Sequence, residues 1–228
     1  MPWSKTPAWV LAGGAWLAFS AGFVNSVGFL GAAHGGVTHV TGQVTQVSLT
    51  LQGGNLLATL SAAAMVLAFF FGAVVSGAII RSSELSRHGG RYVIVLLLEG
   101  ACFFAATWLG VRGSASAFHL VAMASGMQNA LATSYSGAVI RTTHMTGIVT
   151  DLGLLIGHAL RGQRAEWGRL KLLALLLFSF FFGGAIAAVA WTFLGVWTLL
   201  VPAVALSAAG VAWYLISARE RREQNAAP

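Results

Sequence analysis

Read by its apolar and polar positions, the chain resolves into six long apolar runs, roughly 8–30, 55–80, 92–111, 117–138, 170–194 and 197–217. Each is near the ~20 residues that a helix needs to cross the hydrocarbon core of a bilayer. They lack the polar–apolar alternation over about 10 residues that marks a membrane β-barrel strand. Two weaker segments, about 36–52 and 143–160, are dotted with threonine, glutamine and histidine. They predict two shorter, more polar helices.

These two segments carry copies of one cassette. Residues 38–46 read Thr-His-Val-Thr-Gly-Gln-Val-Thr-Gln, and residues 143–151 read Thr-His-Met-Thr-Gly-Ile-Val-Thr-Asp. Each follows an apolar segment with Gly-x-x-Asn: Gly22 to Asn25, then Gly126 to Asn129. The Asn pair is separated by 104 residues and the His pair by 105, so one register runs through both elements.

Charge decides how the segments thread the bilayer, because basic residues gather in cytoplasmic loops. With six crossings, a cytoplasmic N-terminus and neither cassette crossing, Arg112 is the single one of the 13 basic residues left outside. If both cassettes also cross, Arg81, Arg87, Arg91 and Arg141 move outside. If only the second crosses, the 161–171 loop and the basic C-terminus do. The first arrangement is the best supported. It makes the cassettes two re-entrant or broken helices, with Gly31, Gly35 and Gly36 before one and Ser136 and Gly137 before the other. Because three crossings separate the copies, the halves are inverted, a recurring build of transporters.

The expected fold is therefore an all-α polytopic membrane protein, with six transmembrane helices plus two short re-entrant or broken helices in two inverted-topology repeats. Residues 1–228 form a single membrane domain, with a first repeat over 8–111, a second over 117–217 and a cytoplasmic tail over 218–228. Trp3, Trp9, Trp167 and Trp213 map to the inner interface, and Trp108, Trp191 and Trp197 to the outer one, as aromatic belts do. Trp16 fits neither. The faces Gly72-x-x-x-Ser76 and Gly184-x-x-x-Ala188 permit close helix approach, within the bundle or in a homodimer.

Composition agrees. The chain is 57% hydrophobic and 8% charged, with mean hydropathy +0.78, whereas soluble domains carry about 25% charged residues. The net charge of +7 reads as loop charge, since no nucleic-acid module or basic stripe accompanies it. One cysteine, Cys102, leaves no disulfide or CxxC site. The apolar run after the weakly basic N-terminus is too long for a signal-peptide core and is expected to be a retained first span. The expected location is a bacterial inner membrane, with both termini cytoplasmic and the lipid bilayer as partner.

Polar groups at membrane depth are the candidates for chemistry. A carboxylate there costs roughly 3 kcal/mol even on the lenient insertion scale and is a functional hypothesis by default. Glu99, in mid-span, reads either as a proton- or cation-coupling group or as a protonated acid bonded to a neighbouring helix. Asp151 reads as a coupling group or as a rim residue. His39 and His144 occupy equivalent places, where imidazole relays protons or bonds a substrate near neutral pH. Thr38, Thr41, Thr45, Thr143, Thr146 and Thr150 fall at helical spacing and form a hydroxyl stripe, which with Gln43 and Gln46 suits a hydrated lining; Thr38 and Thr143 are also candidate helix caps.

The substrate-binding set is thus Asn25, His39, Thr41, Gln43, Asn129, His144 and Thr146, with Glu99, Asp151 and Arg141 as coupling or gating residues. Re-entrant helix N-termini offer N–H groups and partial positive charge. Together with Arg141, this favours a small anion over a cation. Neither metal-ligand spacing nor a catalytic motif is present. No metal, cofactor, nucleic-acid partner or enzymatic activity is expected.

Ala21-Gly22-Phe23-Val24-Asn25-Ser26-Val27-Gly28-Phe29-Leu30, followed by Thr38-His39-Val40-Thr41-Gly42-Gln43, resembles the signature of the YoaK-like family. These are bacterial membrane proteins catalogued as a domain of unknown function. The family pattern is roughly AG-x-[VT]-D-A-x-G-[FY]-L and then SH-M-TGN. The likeness covers most of the chain, and the second cassette is the closer match. Asn25 stands where the family usually has Asp, and Gln43 where it has Asn, which removes a charge from the first site. The resemblance implies a family and no activity. From the residues, the expectation is a secondary transporter of a small polar solute or ion, proton coupling included, with a passive channel or a non-transporting scaffold or sensor as rivals.

Overall fold

Away from water, a backbone must satisfy its own hydrogen bonds, and a single apolar segment does so as a helix. The computed structural model describes residues 8–31, 36–80, 90–135, 142–164 and 166–226. Its elements are α1 (Ala8–Leu30), α2 (Val40–Gln52), α3 (Leu56–Ile79), α4 (Gly90–Val111), α5 (Ala117–Tyr135), α6 (Met145–Leu160), α7 (Trp167–Leu194), a 3₁₀ turn (Gly195–Leu199) and α8 (Leu200–Ala226). No strand occurs among the described residues. The Arg- and Glu-rich stretch expected as a tail prolongs α8 to Ala226, as good helix formers do.

Ala8–Leu30, Leu56–Ile79, Gly90–Val111 and the stretch Trp167–Arg219, which holds α7 and most of α8, are long and apolar enough to cross a membrane. α5 is more polar and falls outside this group. It compensates by burial: Ser125 donates to the Val121 carbonyl at 2.8 Å, and Gln128 donates to the Leu17 carbonyl of α1 at 2.6 Å. Phe70, Phe71, Phe178, Phe181, Phe182 and Phe193 point outward instead. An apolar exterior of this kind suits lipid and not water.

Contacts at the two ends set the helix directions. At one end Trp9 of α1 meets Trp213 of α8 edge-on, with centroids 6.0 Å apart. Tyr92 of α4 and Leu131 of α5 share a cavity with them. At the other end Gly31 lies on the Phe118 ring, Gly110 meets Val196, and His119 of α5 approaches the Ser61 carbonyl of α3 at 3.3 Å. α1, α4 and α7 thus run one way, and α3, α5 and α8 the other.

The short helices are arms of hairpins. The turn at Gly53 and Gly54, the latter at φ 68°, reverses the chain between α2 and α3. Asn55 then caps α3 by accepting the Ala58 N–H at 3.0 Å, and the Thr59 hydroxyl donates to that of Thr50 at 3.0 Å. At ~1.5 Å per residue, α2 reaches only about half-way down α3. α6 likewise runs back along α7.

Long helices pair through glycine. A Cβ on Gly22 would collide with the Phe180 carbonyl, and one on Gly183 with that of Phe19, which locks α1 to α7. Likewise, Gly126 lies under the Phe69 carbonyl and Gly72 under that of Met123, which locks α3 to α5. α4 and α8 pair at Gly100 against Ser207 and at Gly210 against Leu96 and Leu97. The small-residue faces are therefore used inside the bundle: Gly72 and Ser76 are buried, and Gly184 packs on Ser26 and Gly22.

Candidate functional site

Asn25 lies in the last third of α1, buried by its neighbours. Its Oδ1 accepts the Thr38 hydroxyl at 3.0 Å and the Thr38 backbone N–H at 3.4 Å. Asn129, in the last third of α5, accepts the Thr143 hydroxyl at 3.2 Å. Each cassette is thus tied at its first residue to the helix that precedes it. Gln43 Nε2 donates back to the Gly36 carbonyl at 2.9 Å and closes the first cassette on itself. Thr38 and Thr143 hold the cassettes in place as partners of the asparagines and do not cap α2 or α6; the sequence cue was an Asn followed by Thr at similar distances in both halves.

The histidines follow directly. His39 precedes α2 and His144 precedes α6, and neither side chain caps its helix. Both are exposed. The His39 ring covers Gly36 and stands 6.5 Å from Phe29, whereas the His144 ring covers Gly147 in the first turn of α6. Gly42, which matches Gly147, has open space instead. One register in sequence therefore gives two different imidazole placements.

Thr41 and Thr146 are exposed in the first turns of α2 and α6. Thr45 donates to the Thr41 carbonyl at 3.0 Å and Thr150 to that of Thr146 at 2.9 Å. Back-bonding of this kind satisfies a hydroxyl within its own helix, so part of the expected stripe is already paired. No residue of α2 is fully buried.

The structure does not bring the two cassettes together. Among the described residues α2 packs on α3, α6 on α7, and α2 makes no contact with α6. Among the described residues they form two separate polar groups. The reason lies in the antiparallel packing of α1 and α5, in which Leu17 faces Gln128 while Gly31 faces Phe118. Asn25 and Asn129, each in the last third of its helix, thereby lie on opposite sides of the bundle's middle. Arg141, with Gly35, Ser136 and Gly137, lies outside the described residues.

The two acids differ sharply. Asp151 pairs with Arg169 of α7 at 2.8 Å, both side chains part-exposed; sequence reading had not named Arg169 as its partner. Glu99 is completely buried, and neither carboxyl oxygen finds a hydrogen-bond partner among the described residues. No cluster of three metal-ligating side chains occurs among those residues.

Two cavities mark the ends of the bundle. One, of about 110 Å³, is bounded by Trp9, Trp16, Tyr92, Leu131 and Trp213. The other, of about 180 Å³, lies by Trp108 and Trp197, with the Arg112 guanidinium 3.6 Å from the Trp108 ring centre. Neither includes a cassette residue. Trp16, unplaced by a simple belt, belongs to the first.

No curated protein and no solved structure matches the chain. A family model does: the one described as protein of unknown function (DUF1275) matches residues 13–212. An apolar helical bundle bearing the duplicated Thr-His-x-Thr-Gly cassette thus belongs to the DUF1275 family.

Proposed function

We propose that this protein is a secondary transporter of a small polar solute or ion in the bacterial inner membrane. It is built from six crossings and two re-entrant helices in two inverted repeats, over 8–111 and 117–217. The observation that carries this reading is the glycine packing. Gly22 and Gly126 are 104 residues apart, as are their counterparts Phe19 and Met123. Gly72 and Gly183 are 111 apart, as are Phe69 and Phe180. Each of these two contacts between α1 and α7 therefore has its mate between α3 and α5. The antiparallel course of α1 and α5 makes the mates inverted. Inverted repeats with short helices starting inside the bilayer are a transporter build.

In this reading α2 opens from the outer face and α6 from the cytoplasmic face, and a polar path joins the two half-sites. His39, Thr41 and Gln43 serve one, His144 and Thr146 the other, with Asn25 and Asn129 supporting them. Glu99 is the coupling acid, and Asp151 with Arg169 gates the inner half-site. Uncapped N-termini at α2 and α6 favour an anionic solute. The chain is a transporter and not an enzyme. The end with Arg91, Arg161, Arg164 and Arg219 is cytoplasmic and the end with Arg112 is outer.

Flux into proteoliposomes tests this. Saturable uptake of a small anion, driven by an imposed pH gradient and lost in the His39→Ala/His144→Ala double variant, is expected. Unsaturable flux indifferent to the gradient would make the same architecture a passive channel. One observation favours a second reading, a non-transporting scaffold or sensor: the Asn25–Thr38 and Asn129–Thr143 bonds use cassette groups for internal ties. In that case the double variant loses stability, and the wild type shows no flux.

A further inference from the structure

The cavity at the cytoplasmic end has a wall of apolar carbon, shared by four long helices. Trp9 and Trp16 come from α1, Tyr92 and Leu96 from α4, Leu131 from α5 and Trp213 from α8. It holds about 110 Å³, room for several methylene groups, and Trp16, 44% exposed, leaves one side open to the surroundings of the bundle. Packed interiors keep few voids larger than a water molecule, so an open apolar recess of this size in a lipid-facing surface is a place for a chain.

Two further features specify the chain. The buried indole N–H of Trp213 has no hydrogen-bond partner among the described residues, and a lone buried donor is costly unless something accepts from it. Arg91 directly precedes Tyr92 in α4, and Arg219 lies six residues beyond Trp213 in α8, both exposed. Six helical residues span ~9 Å along the axis, which sets a cation beyond the donor. Apolar recess, single N–H donor and cation follow one another in the order of acyl chain, ester carbonyl and phosphate in a phospholipid. Basic groups at the cytoplasmic face attract anionic headgroups.

We propose that this cavity is a specific site for one anionic phospholipid of the cytoplasmic leaflet. One acyl chain lies among Trp9, Trp16, Leu96 and Leu131, the Trp213 N–H donates to an ester carbonyl, and the phosphate lies by Arg91 and Arg219. The proposal rests on the orientation given under the proposed function and not on transport itself, so its failure leaves the flux experiment untouched.

The test uses the purified full chain in mild detergent, incubated separately with phosphatidylglycerol, phosphatidylcholine and a headgroup-free fatty alcohol. Retained molecules are counted by native mass spectrometry. One phosphatidylglycerol per chain is expected, in preference to the other two probes. Ala209 of α8 also lines the cavity, and Ala209→Phe, which fills it, is expected to abolish retention. Trp213→Phe keeps an aromatic wall but removes the donor, and about three- to tenfold weaker retention is expected, the worth of one hydrogen bond. Arg91→Gln/Arg219→Gln is expected to bring phosphatidylglycerol down to the level of phosphatidylcholine. Fatty alcohol held as well as phosphatidylglycerol would overturn the proposal, making the recess a site for any apolar solute. So would undiminished retention by Trp213→Phe with an unchanged melting temperature, which decides the matter even if Ala209→Phe does not fold.

Discussion

Asn25 receives both the hydroxyl and the backbone N–H of Thr38 on one oxygen, Oδ1, at 3.0 and 3.4 Å. The contact uses only acceptor capacity, and an aspartate offers the same acceptor. Where the resemblance to the YoaK-like family implies Asp, Asn25 therefore keeps the tether without the charge. Asn25→Asp is expected to retain the fold. Asn25→Ala should lose about 1–2 kcal/mol, the cost of stranding a buried partner. Thermal unfolding in detergent measures both, and Asn129→Ala should follow Asn25→Ala because Thr143 is held in the same way.

The glycine seams give a graded prediction. Gly22→Ala and Gly126→Ala each drive a methyl group into a carbonyl, and overpacking of that kind costs about 1–3 kcal/mol. Gly42→Ala meets open space and adds helix propensity of up to about 1 kcal/mol, so it should raise the melting temperature. Equal effects at Gly22 and Gly42 would contradict the seam.

Topology is open to chemical labelling. In a Cys102→Ala background, Ser114→Cys lies in the turn between α4 and α5, and Gln163→Cys in the turn between α6 and α7. An impermeant maleimide applied to intact spheroplasts should label the first and spare the second. Labelling of both from outside would defeat the six-crossing arrangement.

The Asp151–Arg169 pair is part-exposed, and such pairs are worth about 0–1 kcal/mol. Asp151→Asn should therefore barely move the melting temperature. If the pair gates the inner half-site, flux changes in Asp151→Asn and is restored by the exchange Asp151→Arg/Arg169→Asp. A failure of the exchange to restore flux, with both variants folded, would remove the gating role.

Glu99 separates coupling from structure. Neither of its oxygens has a hydrogen-bond partner among the described residues, so Glu99→Gln forfeits no visible contact and should leave stability within about 1 kcal/mol of wild type. Uptake that no longer responds to a pH gradient is the expected result in proteoliposomes. Persistent gradient-driven uptake in this variant would exclude Glu99 as the coupling acid.

Local patterns were legible in the residue order alone. Hydropathy located α1, α3, α4 and α7 to within a few residues of their ends, because twenty apolar residues in lipid have few other ways to satisfy their backbone. The cassette register and the charge count likewise came from residue order, since each depends on spacing alone. What Asn25 holds, what Arg169 faces and where the two imidazoles lie were not legible. Those relations depend on which helix packs against which. The carbonyls of Phe180 and Phe69 meet Gly22 and Gly126 from helices more than fifty residues distant along the chain, and no local pattern encodes such a partner. The antiparallel packing of α1 and α5 is what sets the cassettes on opposite sides of the bundle's middle. It arises from close-packed backbones whose pairing is settled only when all the helices compete for the same glycine faces.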